Sequence, residues 1–215
     1  MKIDRQSNYS IYKNILLAFL LTFSTLTFAQ DDEWAAGLRL GDPTGLTLKK
    51  YDGDHAWQLN IGRSKWFYGD GWYNNRFNDW YGDGKYNYAD YQYIGFKRSL
   101  PLAIQLHYLI NNEITEWDLD GEGRLFWYYG FGIQFNYLSY VYDYRYKNPG
   151  DPAWYYADSE RVYDIDFGAD VVIGSEFIFS EIPLSVFLEL NLFMEAFDDP
   201  FWIRGQGGVG ARYHF

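Results

Sequence analysis

Read backward from Phe215, the chain alternates. Phe215, Tyr213, Ala211, Val209, Gly207, Gly205 and Ile203 are apolar or small, and His214, Arg212, Gly210, Gly208, Gln206 and Arg204 fall between them. A period of two puts the two sets on opposite faces of a strand. The preceding segment repeats it, with Leu184, Val186, Leu188, Leu190, Leu192 and Met194 against Ser185, Phe187, Glu189, Asn191, Phe193 and Glu195. Tyr163 to Phe177, Trp127 to Tyr137, Leu102 to Ile110 and Trp57 to Ile61 follow the same rule. A first hairpin turns at Gly41-Asp42-Pro43-Thr44-Gly45 and places Leu38, Leu40, Leu46 and Leu48 opposite Arg39, Thr47 and Lys49.

The pattern predicts eight strands: 34 to 41, 45 to 51, 56 to 66, 91 to 111 with its core from 101, 124 to 142, 161 to 179, 184 to 195 and 202 to 215. An even number of alternating segments of about ten residues, with aromatic residues near their ends, is the mark of a transmembrane β-barrel. A soluble sandwich or lipocalin also alternates, but it carries Lys and Glu freely on its outer face. Here the polar faces combine carboxylates, a few bases and many glycines, and the apolar faces carry large aromatics near the strand ends. The expected fold is all-β, an eight-stranded antiparallel up-and-down transmembrane barrel with long extracellular loops. Short turns at 52 to 55 and 179 to 183 belong to the periplasmic side, and the longest loops, near 67 to 90 and 143 to 160, to the outside.

The N-terminus reads as an export signal. Lys2, Arg5 and Lys13 precede an apolar run from Ile15 to Leu21 that ends in Thr27-Phe28-Ala29-Gln30. A cationic head, a short apolar centre and a small-residue end predict cleavage between Ala29 and Gln30. Residues 1–29 are then the signal and 30–215 the barrel domain. The run falls short of the roughly 20 residues that a spanning helix needs. Removing Lys2, Arg5, Lys13 and Asp4 leaves 15 basic against 28 acidic residues, a net charge of −13. This acidity argues against a nucleic-acid partner, because phosphates are met by clustered Lys and Arg. The absence of cysteine rules out a disulfide scaffold, a thiol enzyme, a Cys-based zinc site and a lipoprotein anchor.

Eight strands enclose an interior just wide enough for side chains to fill. The inward set opposes Arg39, Lys49, His107, Arg204 and Arg212 to Asp164, Asp166, Asp170, Glu176, Glu189 and Glu195. Buried charges must be paired, so these residues are expected to form an ion-pair network that plugs the barrel and fixes its register. The sharper alternatives are a catalytic carboxylate cluster and a narrow ion path. His55 and His214 lie toward the periplasmic end and His107 near mid-barrel, away from the outer rim where small barrel enzymes place a base and nucleophile. No catalytic residue, cofactor or metal is expected. Gly205-Gln206-Gly207-Gly208-Val209-Gly210 fits the dinucleotide pattern, yet that motif needs a strand before it and a helix after it. Here it lies inside the last strand, where small residues let neighbouring side chains approach.

The outer loops stand apart in composition. From Trp66 to Tyr93, 12 of 28 residues are aromatic, interleaved with Asp and Asn, and a second loop adds Tyr142, Tyr144, Tyr146, Trp154, Tyr155 and Tyr156. Rigid rings with polar tips beside hydrogen-bonding Asp and Asn suit recognition of sugars or protein surfaces. On that reading Trp72, Tyr73, Trp80, Tyr81, Trp154 and Tyr155 form the binding face, with its tip at 70 to 84. The alternative is that these rings form interfacial belts and a small core within the loops.

Gly37 to Tyr51 (GLRLGDPTGLTLKKY), Trp127 to Phe135 (WYYGFGIQF), Ile173 to Leu190 (IGSEFIFSEIPLSVFLEL) and the closing GARYHF resemble a family of small outer-membrane barrels of unknown function from Bacteroidetes. Phe28-Ala29-Gln30 is similar to the signal peptides of that group, and Tyr213 and Phe215 resemble the C-terminal signal shown to the barrel-assembly machinery. The resemblance implies fold and compartment and carries over no activity. Together these features describe a monomeric, non-enzymatic barrel in the outer membrane of a Gram-negative bacterium. Its expected partners are membrane lipid and lipopolysaccharide, the assembly machinery, and a surface glycan or protein. A narrow solute or ion channel and a lipid-modifying barrel enzyme are the alternatives.

Overall fold

A computed structural model describes residues 34–64, 70–82, 86–98, 101–117, 119, 121–157, 160–196 and 201–215. The expected export signal lies outside these residues. The strands are β1 (Trp34–Gly41), β2 (Thr44–Asp52), β3 (His55–Arg63), β4 (Asp90–Arg98), β5 (Leu102–Glu113), β6 (Gly123–Lys147), β7 (Tyr155–Tyr156), β8 (Glu160–Phe179), β9 (Leu184–Glu195) and β10 (Ile203–His214). Among the described residues one helix, α1 (Asp70–Gly82), joins them.

Eight of the strands close a ring in the order β1, β2, β3, β5, β6, β8, β9, β10, with every neighbouring pair antiparallel. First and last strands seal it: Ala35 pairs with His214 and Gly41 with Gly208. The expected strand 91 to 111 is present as two collinear pieces. β5 pairs with the lower half of β6, and β4 takes over the same edge from Tyr140 to Lys147. β6 runs five residues beyond its expected end, so a ribbon of β4, β6, β7 and the start of β8 stands above the ring on the loop side.

The barrel is inside out. Leu38 is 65% exposed and Leu190 62%, whereas Arg39 and Glu189, their neighbours in sequence, are 0% exposed. Along β9 the alternation holds at every position from Leu184 to Glu195. An outer wall of Leu, Ile, Val and Phe around a polar interior has the hydrophobic effect reversed relative to water, and it is stable only where the outside is hydrocarbon. This is a transmembrane β-barrel. Rings band its turn-side end: Trp57 meets Tyr108 edge-on at 5.1 Å and Trp127 stacks on Tyr129 at 5.4 Å. Aromatic side chains with polar tips favour the membrane–water boundary.

Inward glycines make room for large inward side chains from the next strand. A Cβ at Gly208 would lie 2.5 Å from Arg39 Cζ, one at Gly210 would lie 2.5 Å from Phe187 Cζ, and one at Gly174 would meet the Tyr128 ring at 2.5 Å. Gly208 and Gly210 are the inward members of the glycine-rich run of β10, and packing accounts for these two, whereas a Cβ at outward Gly205 would meet nothing within 4 Å. Overfilling a packed interior costs about 1–3 kcal/mol. Gly174→Ala, set against a rigid ring, is therefore expected to lower stability by about that amount, as read by urea titration of the refolded barrel.

The segment 70 to 82, expected to be loop, is helical. Tyr73, Phe77 and Tyr81 recur every four residues, which aligns them on one face of a helix. That face is buried against Leu138, Tyr140, Tyr142 and Tyr144, the inward side of the β6 extension. Arg76 of the helix reaches Asp164 on the inward face of β8 at 3.5 Å. The helix thus lies over the loop-side mouth.

Candidate functional site

Alternation delivers the expected charged residues to the lumen, and the register decides which of them meet. Glu176 of β8 is the hub of the turn-side half. It accepts from Lys49 Nζ of β2 at 2.7 Å, Arg212 Nη1 of β10 at 2.9 Å, Ser185 Oγ of β9 at 2.7 Å and Tyr51 OH of β2 at 2.9 Å. Arg212 also donates to Gln58 Oε1 at 2.8 Å and lies 3.5 Å from Glu189. Its guanidinium sits 3.6 Å from the centroid of Phe187. Both carboxylate oxygens of Glu189 accept from Gln58 Nε2 at 2.9 Å, and Arg39 Nε lies 3.7 Å away. Apart from the Ser185 bond between neighbouring β9 and β8, and the approach of Arg212 to Glu189 and Phe187 between neighbouring β10 and β9, these contacts join strands that share no ladder. Lys49–Glu176 and Gln58–Glu189 cross the ring from one side to the other.

Above this cluster the layer is largely amide. Gln105 Nε2 donates to Gln134 Oε1 at 2.9 Å, to Gln206 Oε1 at 3.2 Å and to Asp170 Oδ2 at 3.3 Å, and Asn60 Nδ2 donates back to Gln105 at 3.1 Å. His107 Nε2 lies 2.8 Å from Asp170 Oδ2, with both side chains fully enclosed. Arg39 Nη1 donates to the Pro43 carbonyl at 2.6 Å. Asp166 and Arg204 are buried in the loop-side half, and Arg204 stacks 5.0 Å above Phe193. The alternation puts these amides on the polar faces, but the expected lumen network consists of charged residues alone and includes no amide layer. Gln58, Gln105, Gln134 and Gln206 occupy inward positions of four strands, a signal that charge counting passes over.

At the loop-side end the aromatic residues divide. Tyr73 and Tyr81 do not offer a face to solvent: both rings are covered by the small core under α1, because a spacing of four turned them to one side. Tyr73 stacks on Phe96 at 3.6 Å, and Phe77 packs edge-on against Tyr142 at 5.1 Å. The Tyr142 hydroxyl donates to the Tyr73 carbonyl at 3.1 Å. The side chains of Trp72 and Trp80 lie outside the described residues.

Beyond this core, stacked rings continue to the tip. Tyr86 stacks on Tyr88 at 5.2 Å, Tyr88 on Tyr146 at 4.2 Å, and Tyr146 faces Tyr155 at 5.9 Å. Tyr155 is exposed, and Tyr156 is 72% exposed. Trp154 is held by Arg145 at 4.6 Å and Lys147 at 4.3 Å. Asp151 fixes the loop by accepting from Ala153 N at 2.9 Å and Tyr155 OH at 2.7 Å. The Ala153 amide first, and the Tyr155 hydroxyl second, hold the Asp151 carboxyl below its ordinary value, and the same bond raises the Tyr155 phenol.

At the opposite end Tyr213 faces outward and Phe215 N donates to the Trp34 carbonyl at 2.9 Å, where the ring closes. Among the described residues no group of three or more His, Cys, Asp or Glu is placed to hold a metal. No family model and no curated protein matches the chain. Among solved structures it is similar to the crystal structure of Neisserial surface protein A (NspA), with 11% sequence identity, coverage of 85% of this chain and 94% of that one, and a TM-score of 0.41.

Proposed function

We propose that the protein is a non-enzymatic structural barrel of a Gram-negative outer membrane that recognises a surface glycan or protein through the aromatic tip of its outer ribbon. The observation that carries this is the row Tyr86, Tyr88, Tyr146 and Tyr155, continued by the exposed Tyr156 and flanked by Trp154. Stacked tyrosines fixed on a rigid ribbon give contact area at low entropic cost, with hydroxyls at the rim. In this orientation the short turns face the periplasm and the ribbon faces outward. Supporting the non-conducting reading, bonded side chains of the Glu176 cluster and the Gln105 layer cross the lumen. An ion would have to break several of these bonds to pass. The C-terminal Tyr213 and Phe215 fit delivery to the barrel-assembly machinery.

The test is a glycan and lipopolysaccharide array probed with the refolded protein and with Tyr155→Ala/Tyr156→Ala. Stacking contacts of this kind are worth roughly 0.5–1.5 kcal/mol each, so the double variant should bind about tenfold more weakly. Equal binding by both forms would count against the tip.

A further inference from the structure

The outward face of the ribbon reverses the charge balance of the chain. Acids outnumber bases 29 to 18 in the whole sequence. On the ribbon strands Lys97, Arg145, Lys147 and Arg161 oppose only Asp90 and Asp143, on the face away from buried Tyr142 and Tyr144. The register brings two of these bases into one row: Lys97 of β4 and Arg161 of β8 both pair with Val141 of β6. Neighbouring strands lie about 4.8 Å apart, so the two cations flank one valine with their Cα atoms about 10 Å from each other.

Their height decides what they meet. Outward rings on β6 run from Trp127 to Tyr137, a climb of about 26 Å at about 3.4 Å per residue and a tilt of about 40°. That matches the apolar band of an outer-membrane barrel, about 25 Å tall. Tyr137 faces Tyr163 of β8 at 6.2 Å, and the two rings mark the loop-side edge of the band. Arg161 is the next outward residue beyond Tyr163, about 5 Å higher. The headgroup layer is about 5–8 Å deep on each side of a bilayer. Arg161 therefore stands at the level of lipid phosphates, and Lys97 reaches the same ligand across Val141, because a long basic side chain lets its charged end follow the interface.

Both charges are available there. Arg161 is exposed, and among the described residues it meets no carboxylate. Lys97, with its side chain 74% exposed, lies 3.1 Å from Asp143. An exposed pair of this kind contributes little, and a phosphate monoester, with about −1.5 to −2 charge at neutral pH, attracts Lys97 more strongly than one carboxylate does. Nearer the tip, Arg145 and Lys147 are engaged by Trp154, Gln92 and Asp90.

We propose that Lys97 and Arg161 bind the headgroup phosphate of a lipid in the loop-side leaflet, the phosphate held over Val141 and the acyl chains running down the wall past Tyr163. The site stands on the membrane-spanning barrel and is separate from the recognition tip.

The experiment titrates the barrel, refolded in uncharged detergent micelles, with dihexanoyl phosphatidic acid, dihexanoyl phosphatidylcholine and inorganic phosphate in turn, following the amide resonances of Lys97, Val141 and Arg161. Phosphatidic acid is expected to shift all three and to lose affinity as salt is raised. Lys97→Gln and Arg161→Gln, both at exposed positions where folding is unaffected, are each expected to weaken it about fivefold. Asp143→Asn, which releases Lys97, is expected to strengthen it. Equal affinity for phosphatidylcholine, or full affinity for phosphatidic acid in Lys97→Gln/Arg161→Gln, would overturn the proposal. Inorganic phosphate binding as tightly as phosphatidic acid would overturn the lipid as the source of the phosphate. Tyr155→Ala/Tyr156→Ala must bind phosphatidic acid as the native protein does, so an inactive outer tip would leave this site standing.

Discussion

Glu176→Leu should be the most damaging single change in the lumen, lowering stability by about 3–5 kcal/mol, the usual cost of stripping one partner from a buried ion pair. Lys49 and Arg212 would both lose their carboxylate, and Ser185 and Tyr51 would lose their acceptor. Lys49 has only the Asn111 oxygen and the rings of Tyr51 and Tyr128 to fall back on. Arg212 retains Gln58 and the more distant Glu189. Glu176→Gln keeps an acceptor and loses the charge, so its loss should fall between those of native protein and Glu176→Leu. Urea titration of protein refolded into vesicles measures the order. Equal stability of all three would mean that the cluster does not hold the ring.

The second large effect lies on the opposite face of the same strands. Leu188 is exposed at the middle of β9, between lumen-facing Phe187 and Glu189. Leu188→Arg places a charge against the centre of the bilayer and should cost about 2–4 kcal/mol. Tyr156→Arg, at the exposed tip of the ribbon, should change stability little, because that position is already in water. A soluble barrel would show the opposite sensitivity: Leu188→Arg would be tolerated on a wet outer face.

How much of this was legible depends on what each element packs against. β9 could be read almost residue by residue because hydrocarbon on one side and a largely polar lumen on the other impose a period of two, broken in polarity only by the inward Phe187 and Phe193. The same logic located seven further ring strands and put Arg39, Lys49, His107, Asp170, Glu176, Glu189 and Arg212 inside. It could not choose partners. Glu176 and Lys49 are 127 residues apart, and only the ring's register brings them together while leaving Asp170 to His107. Helix α1 escaped notice for a different reason. Its aromatic residues sit among many others, and the count of rings concealed the fourfold spacing of Tyr73, Phe77 and Tyr81. Two residues expected at a binding face therefore turned out to be core. The amide layer around Gln105 carries no charge and no motif: alternation turns Gln105, Gln134 and Gln206 inward, but only the ring's register brings them together.

The central claim is that lipid lies outside this ring and side chains fill it. Single spin labels placed in turn at positions 184 to 195 test it, with accessibility to oxygen and to a water-soluble nickel chelate measured in vesicles. Oxygen should peak at the even positions, Val186 through Leu192, and the nickel reagent should stay low at the odd, lumen-facing ones from Phe187 through Phe193. Nickel accessibility peaking at the even positions would place water where the account places the bilayer, and would contradict it.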